Sequence, residues 1–243
     1  LKVFYDTYYW PNNATVTVIG DFNKEEALAS INKHFSEHSK SGEPIPPVYT
    51  DEPEQEGPRR ITVKRTGQTG IVGIAHKTPK GLHEDTHAFQ VLGKILADGK
   101  TSRLNKLIID KGLATSIFMY DFPFLDNGLF IAYAFLTPGT DHKKIEEIII
   151  QEYNNISENG VSEEEIKRAQ AQIRAAVAFS RDGTYAVASA LNEAIALGDW
   201  TFYTNFMEKI NNVTVGKIKE VIKKYFIEDQ STTGWFIAKD PKD

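Results

Sequence analysis

The sequence predicts an α+β fold, an antiparallel sheet with helices packed on one face. Three observations carry that expectation. Apolar residues alternate in short runs such as ITVKRT, TGIVGIAHKTP, ATSIFMYDF and GLFIAYAFL. Turn chemistry lies between consecutive runs, at Gly67-Gln68-Thr69-Gly70 and Asp126-Asn127-Gly128. Long amphipathic segments are grouped late in the chain, and they do not alternate one for one with the strands.

In chain order, residues 1–9 read as the end of an amphipathic helix, and TVTVIG as a strand. Asp21 is the expected cap of a helix whose stripe is Leu28, Ile31 and Phe35. Residues 39–58 hold five prolines and five acidic residues, the composition of an extended linker. A second unit begins at Arg59 with two strands. A helix then runs from 83 to about 97 with Phe89, Leu92, Gly93 and Leu96 on one face, and another over 101–112 with Leu104, Leu107 and Ile108 inward. A strand pair follows. Asp141 caps the next helix, and Gly160 stops it. Ser162 and Glu165 form a capping box opening a long helix that breaks near Asp182-Gly183. Two more helices, near 202–210 and after Thr214, precede a closing strand, TGWFIA.

The 243 residues carry 28 Lys and Arg against 33 Asp and Glu, a net charge of −5. The charges are interleaved, which argues against nucleic-acid binding through phosphate contacts. No run approaches the length of a membrane span. With no cysteine, a disulfide scaffold, a thiol nucleophile and a Cys-ligated zinc are excluded.

Residues 1–19 resemble residues 218–236 at an offset of 217. Leu1 matches Ile218, Phe4 and Tyr5 match Val221 and Ile222, and Tyr8 and Tyr9 match Tyr225 and Phe226. So long a period suggests two tandem copies of one domain. Since the chain opens at Leu1 inside an aromatic stretch, the expectation is that residues 1–38 are the last strand and helix of a preceding copy. Residues 39–58 then connect it to a complete second copy at 59–243.

His34-Phe35-Ser36-Glu37-His38 is a literal H-x-x-E-H. Two histidines one helical turn apart can share a Zn²⁺, with the intervening Glu as base for a metal-bound water. This pair sits at a helix end that runs into a linker, and a catalytic metal needs ligands locked by packing. The third ligand, a Glu roughly 75 residues downstream in such peptidases, has no counterpart, because no Glu lies between Glu84 and Glu146. The motif at His34, Glu37 and His38 therefore reads as coincidental, with a self-sufficient zinc hydrolase as the weaker alternative. His83 and His87 are also four apart, and a polar helix flank is their plainer reading. The loop Asp98-Gly99-Lys100-Thr101-Ser102 lacks the first glycine of a phosphate-binding loop.

Three segments resemble the insulinase-type, or M16 processing-peptidase-like, zinc peptidases: YYWPNNATVTVIGDF, ADGKTSRLNKLIIDKGLATS and GVSEEEIKRAQAQIRAA. The likeness runs in order along nearly the whole chain. It implies a LuxS/MPP-like metallohydrolase-type domain, built as one of two tandem homologous α+β domains, with zinc on a helix of the other. By this resemblance Phe89, Leu92 and Gly93 stand where the metal motif would be, and Ile108 and Thr115 where active members use an Arg and a Tyr to hold substrate. No cofactor is expected in this chain. The resemblance further implies that Gly99, Ser102 and Arg103 belong to a loop that contacts peptide. The expected function is a catalytically inactive C-terminal domain that helps enclose and position peptide for a zinc-bearing domain, in the same full-length chain or a partner subunit. A scaffold or assembly subunit is the alternative. A bacterial periplasmic location is suspected by family analogy alone.

Overall fold

The structure, a computed structural model, describes residues 1–47 and 53–239. They form two compact units, Leu1–Glu54 with Arg181–Asn192, and Gln55–Ser180 with Glu193–Asp243. Of the expected linker, residues 48–52 lie outside the described residues.

The larger unit is built on one five-stranded sheet. Its strands are β1 (Arg59–Thr66), β2 (Ile71–Lys80), β3 (Ala114–Phe122), β4 (Asn127–Leu136) and β5 (Ser231–Lys239), in the order β1-β5-β2-β4-β3. All neighbours are antiparallel except β1 and β5, which run parallel. The turn chemistry at Gly67-Gln68-Thr69-Gly70 thus closes no hairpin, because β5 inserts between β1 and β2. β1 carries Arg59, Arg60, Lys64 and Arg65 and is exposed along its whole length, which suits an edge and not a sheet interior. β3 and β4 do form a hairpin. Gly128 is required there, since a Cβ would run into the Phe122 carbonyl oxygen.

The helices are α3 (Thr86–Ala97), α4 (His142–Asn159), α5 (Glu163–Ser180), α7 (Thr201–Asn211) and α8 (Val215–Tyr225); α6 (Thr184–Ala196) has residues up to Asn192 in the smaller unit and from Glu193 in the larger. Val72 and Ile74 of β2 and Phe130, Ala132, Ala134 and Leu136 of β4 are buried on the face against which α3, α4 and α8 pack. The register puts Phe118 beside Tyr133 and Tyr120 beside Ile131 on the opposite face. There Phe118 and Tyr120 remain 43% and 44% exposed. The capping box is realised, with Ser162 N–H donating to Glu165 (2.8 Å) and Glu165 N–H to the Ser162 hydroxyl (3.2 Å). Gly160, at φ +77°, ends α4. The long helix breaks at Gly183.

The segment expected as a helix over 101–112 narrows to a π turn at Asn105–Ile109. Leu104 and Ile108 are buried, but Leu107 is exposed, because the wider turn rotates it out of the apolar stripe.

The smaller unit contains α1 (Lys2–Tyr8) and α2 (Lys24–Phe35). TVTVIG is not a strand. Ala14 has extended backbone, yet the segment finds no ladder partner among the described residues. The cap of α2 is Asn23, not Asp21; its side chain accepts from Glu26 N–H at 3.0 Å, whereas Asp21 lies two residues too early. Leu28 and Phe35 are exposed. The repeat seen in sequence recurs in local structure. α1 ends at Tyr8 before a 3₁₀ turn at Pro11–Asn13, and α8 ends at Tyr225 before a 3₁₀ turn at Glu228–Gln230, the same positions shifted by 217.

His76 is a buried polar group of the core. Its ring stacks on Phe226 (4.7 Å between centroids) and meets the edge of Tyr153 (5.6 Å), and its Nδ1 has no partner among the described residues. Burial lowers its pKa from 6.5 to about 4. The folded protein therefore holds it neutral where the unfolded chain would protonate it, and stability falls as pH drops from 6.5 towards 4, by about 3 kcal/mol from this group. Urea unfolding at pH 7.5 and 4.5 should show His76→Phe losing about that much less than the parent. Equal losses would refute a neutral, buried His76.

Candidate functional site

α3 is the helix on which sequence reasoning placed the displaced metal motif. Phe89 and Leu92 are fully buried, and Gly93 faces Met119 and Phe130. Two hydrocarbon side chains and a glycine offer no donor, so a metal does not fit there. His34 lies in the last turn of α2, which ends at Phe35, leaving Glu37 and His38 beyond the helix. The two imidazoles thus do not share a helical face, and all three side chains are exposed. Among the described residues no group of three or more His, Asp or Glu is placed to hold a metal ion. His83 Nδ1 accepts from Asp85 N–H at 3.1 Å. His87 is packed on Phe202 and Phe206, and burial, with Lys209 nearby, lowers its pKa to about 4. Ile108 is buried, and the Thr115 hydroxyl donates to the Phe135 carbonyl at 3.2 Å.

Beside α3 lies a cleft of about 480 Å³ whose wall includes Gln90, Gly93, Gly99, Ser116, Phe118 and Asp121. One side is β3, an outer strand of the sheet that among the described residues pairs only with β4. Strand alternation sends Asp121 to the helix-covered face, where Gln90 Nε2 donates to its Oδ2 at 2.7 Å. Burial raises the Asp121 pKa to about 7, against the lowering effect of that single hydrogen bond. The cleft thus joins a strand edge, aromatic residues and a carboxyl that burial raises to about 7. Such a site can take an extended chain and reward a cation beside Asp121.

The three loop residues that the family resemblance singled out take different places. Gly99, at φ +79°, lines the cleft. Ser102 is buried, and its hydroxyl donates to the Gly99 carbonyl at 2.8 Å. Arg103 turns inward: Nε and Nη2 donate to Glu165 (2.7 and 2.8 Å), Nη1 donates to Glu152 (2.8 Å), and Nη2 also reaches the Gly160 carbonyl (3.3 Å). The hydrogen bonds from Arg103 hold the Glu165 pKa down at about 2. Sequence reasoning missed Gln90, Ser116, Phe118 and Asp121. The signal was an acidic residue at an inward register, in a run from Ile117 to Phe122 that is otherwise apolar and aromatic.

At the other end of α3, Asp85 is fully buried and pairs with Lys217, Lys224 (3.0 Å) and the Tyr225 hydroxyl (2.7 Å). Burial alone would raise its pKa, but those partners hold it at about 2.

The family model described as peptidase M16 inactive domain matches residues 1–173. A zinc protease, PqqE, of Helicobacter pylori is 26% identical over 236 residues, covering 96% of this chain and 53% of the relative. A crystal structure of a protease from Helicobacter pylori superimposes with a TM-score of 0.91 at 26% identity, covering 97% of this chain and 58% of that one. A peptidase M16 inactive domain from Pseudomonas fluorescens shares the fold, with a TM-score of 0.81 at 16% identity over 99% of this chain and 57% of its own. The chain spans about half the length of the curated relatives it matches.

Replacing Arg103 by Leu leaves Glu152 and Glu165 facing each other without their cation. Urea unfolding should register a loss of about 3–5 kcal/mol, far more than an exposed ion pair is worth.

Proposed function

The chain belongs to the peptidase M16 inactive-domain family, and we propose that within it this chain helps enclose an extended peptide and positions it for a zinc-bearing domain. That domain lies in the same full-length chain or in a partner subunit. On this reading residues 1–38 close a preceding homologous domain, 39–58 connect, and 59–243 form the complete non-catalytic domain.

The observation that carries the proposal is the cleft beside the free edge of β3. A peptide lying along that edge would gain main-chain hydrogen bonds from β3 and contact from Phe118. Gly99 leaves the loop backbone bare to an approaching chain, while Ser102 and Arg103 hold the loop in shape. The opposite, open face of the sheet carries Phe118, Tyr120 and Phe122 in a row along the same strand. A cationic group of the peptide beside Asp121 would draw off its proton, so such a peptide should hold more tightly as pH rises through about 7.

Three measurements test this. The isolated chain, given zinc and unfolded peptides, should cleave nothing; chelator-sensitive hydrolysis would overturn the inactive assignment. In the full-length protein, Phe118→Ser with Tyr120→Ser should raise KM about tenfold while kcat stays within about twofold. For Lys- or Arg-containing peptides, Asp121→Asn should flatten the pH dependence of KM between about pH 6 and 8. A KM indifferent to all of these changes would remove the cleft from the function.

A further inference from the structure

A second cavity, of about 630 Å³, opens at the start of α3 and shares no wall residue with the cleft beside β3. α3 contributes His87, α7 contributes Phe202, Asn205 and Lys209, and the turn into α8 contributes Asn212 and Val213. All of these residues belong to the larger unit.

His87 is 7% exposed and packs on the rings of Phe202 (5.0 Å between centroids) and Phe206 (5.6 Å). It lines the cavity, yet its buried Nε2 has no hydrogen-bond partner among the described residues. A bond left unmade on a buried polar atom costs about 1–3 kcal/mol. A neutral imidazole carries one N–H and one lone pair, and with Nε2 unbonded no partner there selects the tautomer.

The charges of the wall are unequally engaged. Lys217 pairs with the buried Asp85 and with Glu220 (3.2 Å). Asp199 accepts from the Thr201 N–H (2.9 Å) and hydroxyl (2.7 Å), and the Glu84 side chain is 82% exposed to water. Lys209 has no ion-pair partner among the described residues and lies near enough to His87 to disfavour its protonation. One uncommitted cation, one neutral imidazole and the amides of Asn205 and Asn212 make a donor set for a single negative charge. A dianion would meet that one cation with Glu84 and Asp199 on the same wall. Phe202 and Val213 add apolar surface, as an organic ligand requires.

We propose that this cavity binds an organic monocarboxylate. The carboxylate pairs with Lys209 and accepts from His87 Nε2–H and from the amides of Asn205 and Asn212, while the hydrocarbon part lies along Phe202 and Val213. The ligand thereby selects the Nε2–H tautomer of His87. A free small acid and the C-terminal carboxylate of a peptide present this same chemistry.

The test is calorimetric titration of the full-length protein near neutral pH with hydrocinnamate, its amide and inorganic phosphate, and with the tripeptide alanyl-alanyl-phenylalanine. Hydrocinnamate or the tripeptide should bind with a Kd of about 1 mM or tighter, and the neutral amide about tenfold more weakly than hydrocinnamate. Lys209→Met and His87→Phe, which keeps a ring against Phe202 and Phe206, should each weaken the acids about tenfold. In protein carrying isotopically labelled histidine, the His87 Nε2 resonance should move to the protonated position on saturation. Tighter binding of the tripeptide than of hydrocinnamate would identify a peptide terminus as the source, and the reverse a free acid. No saturable binding of either acid, binding that both variants leave unchanged, or phosphate binding more tightly than the acids would overturn the proposal.

Discussion

The domain is organised by one requirement, that α3 be buried on nearly every side. It is the element packed against β2, β3, α5, α7 and α8. Phe89, Val91, Leu92, Ile95 and Leu96 are all withdrawn from water, each contributing about 1.5–3 kcal/mol of transfer free energy. Both ends are pinned by charge. Asp85 ties the start to α8 through two lysines and a tyrosine, and just beyond the end Arg103 ties the following loop to α4 and α5. Buried ions of this kind add modestly to stability once desolvation is counted, but losing one partner is costly. They fix where the helix sits more than they hold the fold together.

That placement has a consequence for β3. The helix stands over one face of the strand, while the outer edge pairs with no other strand among the described residues. Gly93 adds no side chain between α3 and β3, and Gly99 leaves the adjoining loop open. Phe89, Leu92 and Gly93, the positions that resemblance matches to the metal motif, instead pack the helix as a wall with a cleft at its side. A carboxyl that burial raises to about 7, as it does Asp121, tolerates such a place because it can take up a proton when no cation faces it.

Much of this was legible in the residues because local chemistry was undivided. The capping box at Ser162 and Glu165, the break at Gly183 and the hairpin at Gly128 each have a single reason, and each formed as read. What was not legible depends on distant partners. TVTVIG alternates as a strand should, yet alternation supplies no ladder partner. Nothing around Gly67 announces that β5, more than 150 residues later in the chain, will separate β1 from β2. Leu107 keeps helical spacing with Leu104, but a π turn changes the period. Asp121 reads as a polar end to a strand until the register shows which face it occupies, and Arg103 reads as a loop cation until α4 and α5 arrive with their carboxylates.

The literal H-x-x-E-H shows the same division from the other side. Its spacing is right, and spacing is all that a sequence displays. A metal site also needs a helix that continues through both histidines and a packed shell that holds their rings. α2 ends between them, and the residues that follow are exposed. At α3 the packed shell is present without the ligands; at 34–38 the ligand types are present without the shell. Metal chemistry needs both at one address, whereas binding an extended chain needs only a strand edge, a firm wall and space between them. The described residues offer the second set of features beside β3 and not the first at either address.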